Sequence, residues 1–259
     1  MQNKIIILYD NSLKENINPR FINNSNRNFI YSNLINRTSV YHPNLIEGWG
    51  FSCLILFKGK TILFDCGWSG SILLNNMICL NTEFNKIDYI IISHQHWDHI
   101  GGLSTIIDLN HQAEIFLPSQ FSKNLTNELK KYLKDVHKFD SKNGPHEILE
   151  NLFITGGLKG EKDDEIIYEQ SIGICSGYNQ LIISGCLHPS FLSIYQILRK
   201  QMDPNILMGG LHGFNNPEIL IKSGIKNLYI GHCTEFINTF LNQKELKTEK
   251  IYIGFELLI

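Results

Sequence analysis

A chain of 259 residues with a formal net charge of −2 has no global positive field, which excludes recruitment of nucleic acid or anionic lipid by bulk electrostatics. Its length suffices for a substantial core, and layered α/β folds of this size occur undivided. The opening MQNKIIILYD holds an apolar run too short for a signal-peptide core or a membrane span, so the expectation is a cytoplasmic protein that acts away from membranes. The six cysteines include no Cys-x-x-Cys pair and read as free thiols of a reducing compartment.

KIIILYD predicts a first strand. Residues 11–46, rich in Asn, Ser and Arg without a clear period, read as an insertion or a lid-like loop over a cavity mouth. FSCLILF and TILFD flank the turn signal KGK and predict a hairpin. SGSILLNNMICL predicts a helix capped by Ser69 or Ser71. KIDYIIIS is an unbroken apolar run, the mark of a strand buried on both faces, and it feeds directly into SHQHWDH at 93–99. After IGGL the pattern predicts a short helix, the strand AEIFLP and the helix KNLTNELKKYLKD. The second half has a similar rhythm, with strands NLFITGG, GICSGYNQ and LIISGC and the helix PSFLSIYQILRKQM. The strand NILMGG, a helix from Pro217, the strand NLYIGH and a terminal strand KIYIGFELL complete it. Strands with intervening helices in both halves predict sheet layers sandwiched by helices, in one domain over 1–259.

SHQHWDH gathers three of the ten histidines and an aspartate into a seven-residue window. His94 and His96 stand two residues apart just past a strand, so in extended geometry their rings point the same way. Asp98 and His99 follow where the chain turns, and Gly101 and Gly102 are expected to free the backbone to do so. One loop thus presents imidazole, imidazole, carboxylate and imidazole beyond a strand's carboxyl end, where α/β folds place ligands. Such donors suit zinc, and also iron, manganese or nickel. A polar loop of satisfied side chains accounts for a lone histidine and not for this cluster.

HQHWDH, continued by DHIGGL, resembles the His-x-His-x-Asp-His signature of the metallo-β-lactamase superfamily. TILFDCG, with Asp65 and Gly67, resembles that superfamily's strand ending in Asp-x-Gly. IIILYDN, EGWGFSCLI, ISGCLHPS, MGGLHGF and IGHCTEF are similar, in order, to motifs of one branch. That branch is the metal-dependent hydrolases that include dihydropterin-ribofuranosyl-aminobenzene 5′-phosphate synthase-like proteins. The resemblance implies an αββα sandwich, two mixed sheets flanked by helices, with the metal site at one edge between the sheets. It implies His94, His96 and His188 as ligands of one metal and Asp98, His99 and His232 as ligands of a second. Asp98 would also orient the nucleophile, and His212 would bind substrate, act as an acid or support a metal ligand from behind. One departure stands out: many members have Gly-Asp where Gly185 is followed by Cys186, and that aspartate bridges the metals, so one ion or two is left open.

The cofactor so implied is a divalent metal, zinc first, with manganese or iron as alternatives. The activity so implied is hydrolysis of a small ester, lactone or phosphoryl substrate by metal-bound hydroxide. A pterin-precursor-type synthase acting on a phosphorylated sugar and an iron-dependent redox protein of the same fold are the alternatives. The expected partner is a small molecule rather than nucleic acid or membrane, and homo-oligomerisation is left open. Lys58, Lys60, Lys159 and Arg199 are available to meet a phosphate, though no spacing places them beside the cluster.

Overall fold

The unbroken apolar runs are explained by a layered structure in which successive side chains of one strand enter different cores. The computed structural model describes residues 2–14, 44–162 and 164–259, so 15–43 of the anticipated insertion lie outside the described residues. In the first half, β1 (Lys4–Tyr9) lies antiparallel to β2 (Ser52–Phe57), which turns into β3 (Lys60–Phe64). The turn residues Lys58 and Gly59 both have positive φ, 47° and 76°, as a two-residue hairpin requires. Helix α1 (Gly70–Cys79) begins at Ser69, whose hydroxyl accepts the Ile72 N–H, the first of the two anticipated caps. Next come β4 (Tyr89–Ile91), α2 (Trp97–Ile100), α3 (Leu103–Leu109), β5 (Glu114–Pro118), α4 (Lys123–Leu129) and β6 (Asp135–Phe139). The strands β3 to β6 run parallel.

The second half repeats this plan. It contains β7 (His146–Leu149), β8 (Leu152–Ile154), β9 (Leu158–Lys162), β10 (Glu165–Glu169), β11 (Ile172–Ser176) and β12 (Asn179–Ser184). Helices α5 (Phe191–Leu198), α6 (Pro217–Lys222) and α7 (Ile237–Leu241) alternate with β13 (Ile206–Gly209), β14 (Asn227–Ile230) and β15 (Lys247–Lys250), and β16 (Glu256–Leu258) ends the chain. Two seven-stranded sheets result, ordered β16-β1-β2-β3-β4-β5-β6 and β15-β14-β13-β12-β11-β8-β7, with β9 and β10 as a separate hairpin. Both sheets are mixed, antiparallel at one end and parallel at the other, because β12 to β15 also run parallel.

Between the sheets, Ile5, Ile7, Ile55, Phe64 and Ile91 share a core with Ile154, Ile172, Leu181, Ile183 and Met208. Residues of opposite parity, Ile6, Leu8, Ile90 and Ile92, pack with Leu73 and Met77 of α1 and Ile106 of α3. On the far side, Ile182, Leu207 and Leu228 pack with Phe191, Leu198, Leu220 and Phe240. Each fully buried large apolar side chain contributes about 1.5–3 kcal/mol, so these layers carry the fold. This is the anticipated α/β architecture, two mixed sheets flanked by helices.

Three details differ from the expectations. Strands β6 and β7, the β9–β10 hairpin and the short α7 were not anticipated; DVHKF, HEIL, LKGEK and EIIYE carry charge, are only partly buried and so lack an apolar signature. GICSGYNQ is not one strand: Gly177, with φ 59°, breaks it into the turn between β11 and β12. KIYIGFELL is not one strand either, since Gly254 (φ 85°) lies in a turn and β15 and β16 join different sheets. The plan has one consequence for function. The carboxyl ends of β3, β4, β12 and β14 are followed within three residues by Asp65, His94, Cys186 and His232.

Candidate metal centre

The fold collects histidines from three separate loops. Ring centroids of His94 and His96 lie 4.5 Å apart, and the His188 ring lies 4.9 Å and 5.0 Å from them. His99 and His232 lie 5.0 Å apart, and the Asp98 carboxylate approaches their Nε2 atoms at 3.8 Å and 3.3 Å. His94 and His99, 4.2 Å apart, join the two groups. All six residues singled out in the sequence are therefore neighbours. His212 is near but outside, with its ring 5.2 Å from that of His188 and its Nδ1 3.2 Å from the Glu235 carboxylate.

Two sets of donor atoms, each mutually within 4.8 Å, could hold a metal ion among the described residues: His94, Cys186 and His188, and His99, Cys186 and His232. This differs from the anticipated sets in one respect. His96 and Asp98 flank these triples, and Cys186 is shared by both.

A buried carboxylate sets the tautomers. Asp65, itself at φ 56°, accepts the Ser93 N–H, the Ser93 hydroxyl and the His99 Nδ1–H, each at 2.7 Å. The Ser93 proton being spent on Asp65, its oxygen is left to accept from His94 Nδ1 at 2.8 Å. The His94 ring then turns a bare Nε2 away from Asp65, and the His99 ring turns its Nε2 toward Cys186 Sγ at 3.1 Å; a polar oxygen behind Nδ1 is the usual arrangement of a metal-ligating imidazole. His94 Nε2 and His188 Nε2 are buried with no hydrogen-bond partner. Buried polar atoms are normally paired, so clustered bare nitrogens beside a thiol and a carboxylate fit a divalent cation.

The electrostatics agree. Burial and the neighbouring imidazoles push His188 down to about 3 and His94 well below its ordinary value, so both rings are neutral at pH 7 with free lone pairs. Burial also opposes charge on His99, but the Asp65 carboxylate outweighs it and lifts the ring to about 9. Burial opposes ionisation of Asp98, yet the hydrogen bond from His232 and the charge of His99 hold it well below the usual carboxylate range.

The other two loops are held the same way. Glu169 accepts the Ser184 hydroxyl at 2.9 Å and the N–H groups of Gly185, Cys186 and Leu187 at 3.0, 2.9 and 3.1 Å on one oxygen, and the His188 N–H at 2.9 Å on the other. Leu187 is thereby kept at φ 61°, a left-handed conformation that costs a non-glycine residue about 1–3 kcal/mol. Asp10 accepts the His232 N–H and Asn11 donates to the His232 carbonyl, both at 2.9 Å, fixing His232 at φ 49°. Glu169 was not singled out in the sequence. Its one signal is an acidic residue within IIYEQSIGI, a stretch otherwise suited to a core strand.

Gly101 and Gly102 correct an expectation. Their φ angles, −59° and −81°, are open to any residue, so conformational freedom is not their purpose. A Cβ on Gly101 would collide with the Trp68 carbonyl, and one on Gly102 with the Cys66 carbonyl. Small size lets the histidine loop sit against the strand that carries Asp65.

Beside the cluster opens a cavity of about 680 Å³ whose wall includes Lys159, Lys162, His188, Ser190, His212 and Phe214. Of the cations named from the sequence, Lys159 reaches this wall and is paired with Glu161 at 2.9 Å. Lys58, Lys60 and Arg199 pair with Glu150, Asp88 and Asp203, away from the cavity. Lys162 lines the wall and was not anticipated, since it lies in the charged β9 strand. No helix among the described residues is long and apolar enough to cross a membrane.

Two mixed sheets between helical layers, with a histidine-rich loop at one edge, define the metallo-β-lactamase fold, and this chain has it. The crystal structure of Tm1679, a metal-dependent hydrolase of the β-lactamase superfamily, superposes with a TM-score of 0.68 over 99% of each chain at 20% identity. A diphosphatase of the PhnP family gives 0.58 over 99% of this chain and 97% of its own, at 16% identity. Within the fold, residues 46–163 match the family model of the anti-Pycsar protein Apyc1. The 7,8-dihydropterin-6-methyl-4-(β-D-ribofuranosyl)-aminobenzene-5′-phosphate synthase of Methanocaldococcus jannaschii is 28% identical over 244 residues, covering 75% of this chain and 83% of that protein.

Proposed function

We propose that this protein is a metal-dependent hydrolase of a small phosphorylated substrate. The observation that carries this reading is the cavity in which His188 and His212 share a wall with Lys162, while Lys159 and His212 are paired there with Glu161 and Glu235. An imidazole cluster alone suits any hydrolysis, whereas a lysine such as Lys162 beside it suits an anionic phosphoryl group.

His94, His96 and His188 would hold one ion, and Asp98, His99 and His232 a second. The imidazole, carboxylate and thiol donors favour zinc, with manganese or iron as substitutes. A bound divalent ion lowers the pKa of water from 15.7 to about 7 and polarises a phosphoryl or carbonyl oxygen. Asp98, ionised at any working pH, orients the attacking water and receives its hydrogen bond. Lys162 offsets the charge of the phosphoryl oxygens, while Phe214 gives the rest of the substrate an apolar wall. His212, with Nδ1 against Glu235, is placed to hand a proton from its other nitrogen to the leaving group.

The test is a panel of matched phosphodiesters, phosphomonoesters, carboxylic esters and lactones offered to zinc- and manganese-loaded protein. Turnover of a phosphorylated compound, with KM raised about tenfold by Lys162→Ala through loss of one charge-assisted contact of about 1.4 kcal/mol, is expected. Turnover confined to neutral esters, or a KM indifferent to Lys162, would overturn the reading.

A second reading, a pterin-precursor-type synthase acting on a phosphorylated sugar substrate, is supported by the 28% identity to the archaeal synthase. Mass spectrometry of the products separates the two: a condensation product favours the synthase, and hydrolysis products alone favour the hydrolase.

A further inference from the structure

We infer that Cys186 is a bridging ligand whose thiolate binds both ions of the centre at once. This rests on the metal-centre reading above and assigns the position at which that reading left the number of ions open. Cys186 is the residue common to the two donor sets among the described residues, each set lying mutually within 4.8 Å. Its Sγ is 3.1 Å from His99 Nε2, and in the other set it faces His94, whose fully buried Nε2 has no hydrogen-bond partner.

The surroundings distinguish Cys186 from an inert buried thiol. Cys53 and Cys66 are buried within the apolar clusters, against Ile, Leu and Phe side chains. Cys186 is as well buried, at 3% exposure, yet it belongs to none of the three apolar clusters. Its polar company is the His99 imidazole, at 3.1 Å, and the Cys233 thiol. Its backbone is also held at the centre, because Glu169 accepts the N–H groups of Gly185, Cys186, Leu187 and His188. A single sulfur can join two ions at metal–sulfur distances of about 2.3 Å with the ions about 3.5–4 Å apart, the usual separation of two-metal sites. On binding, the thiol proton leaves to solvent and no oxidant is required.

The test is titration of the metal-free full chain with cobalt(II), read by the thiolate-to-cobalt charge-transfer band, together with X-ray absorption at the zinc edge of zinc-loaded protein. A bridge predicts a band that grows until two equivalents are bound, and one sulfur neighbour for every zinc. A band complete at one equivalent, with one sulfur per two zincs, would make Cys186 a terminal ligand and overturn the bridge. Zinc bound with no sulfur neighbour would overturn any ligand role. Failure to bind cobalt or zinc would instead remove the metal-centre reading itself. Cys186→Ser is expected to abolish the band, and Cys233→Ser, at the next nearest thiol, to retain it. If Cys186→Ser does not fold, Cys186→Asp supplies a bridging carboxylate and is expected to bind two zincs without sulfur scattering; retention of the sulfur signal in either variant would overturn the assignment.

Discussion

Glu169→Gln is the substitution whose effect follows most directly from the geometry. The carboxylate accepts five hydrogen bonds, four on Oε1 and one on Oε2. A glutamine placed with its oxygen at Oε1 keeps four of them, but as neutral rather than charge-assisted bonds, each weaker by about 1 kcal/mol. At the other position an amide N–H meets the His188 N–H, which then stays buried and unpaired at a cost of about 1–3 kcal/mol. Relief from burying a charge returns several kcal/mol of this, leaving a net loss of about 2–4 kcal/mol. For a chain of this length that is a fall in Tm of about 6–12 °C. Because the displaced backbone carries Cys186 and His188, zinc affinity should fall about 10–100-fold as well. Urea denaturation of the metal-free protein and calorimetric titration with zinc measure the two effects separately. A variant within about 1 kcal/mol of the parent, with unchanged zinc affinity, would refute the claim that this carboxylate builds the loop.

Further outcomes follow from the same contacts. Asp65→Asn should weaken zinc binding about 10–100-fold, since one carboxylate orients both His94 and His99, and an unchanged affinity would count against that arrangement. Gly101→Ala should cost about 1–3 kcal/mol by overpacking against the Trp68 carbonyl, measured by denaturation. An alanine tolerated within about 0.5 kcal/mol would refute the close-packing reading. His96→Ala should abolish activity and leave the fold intact, because no apolar cluster includes it; loss of the circular dichroism spectrum at ambient temperature would show that the metal is structural. Zinc at 100 times its Kd should stabilise the protein by about 2.7 kcal/mol, and chelation should reverse the gain without unfolding the chain.

The fold was legible because its strands alternate between cores. Ile90, Ile91 and Ile92 read as a buried strand for the reason that makes them one: Ile91 enters the core between the sheets, and Ile90 and Ile92 the core under the helices. Strands that serve the cavity rather than the core escaped, β9 among them, since Lys159 and Lys162 carry charge for the rim and leave no apolar period. The ligand loop announced itself because six residues carry four donors. Of the carboxylates behind it, Asp65 showed at the end of TILFD, whereas the anchors Asp10 and Glu169 did not. Asp10 and Glu169 act on backbone N–H groups up to 222 residues away, a relation that no local spacing encodes.

These carboxylates explain why the centre can form before any ion arrives. Asp10 holds the backbone of His232, Asp65 the rings of His94 and His99, and Glu169 the turn bearing Cys186 and His188. Each wall thus has its own anchor, a buried carboxylate at or just past the end of a strand. Burying three carboxylates is costly and is offset by the N–H and O–H groups they accept, so the expense falls on folding and not on metal binding. An ion entering such a site need not order three loops. That is the condition under which His96 and Asp98, which flank the two donor sets, can complete the shell of an ion without having to assemble the site.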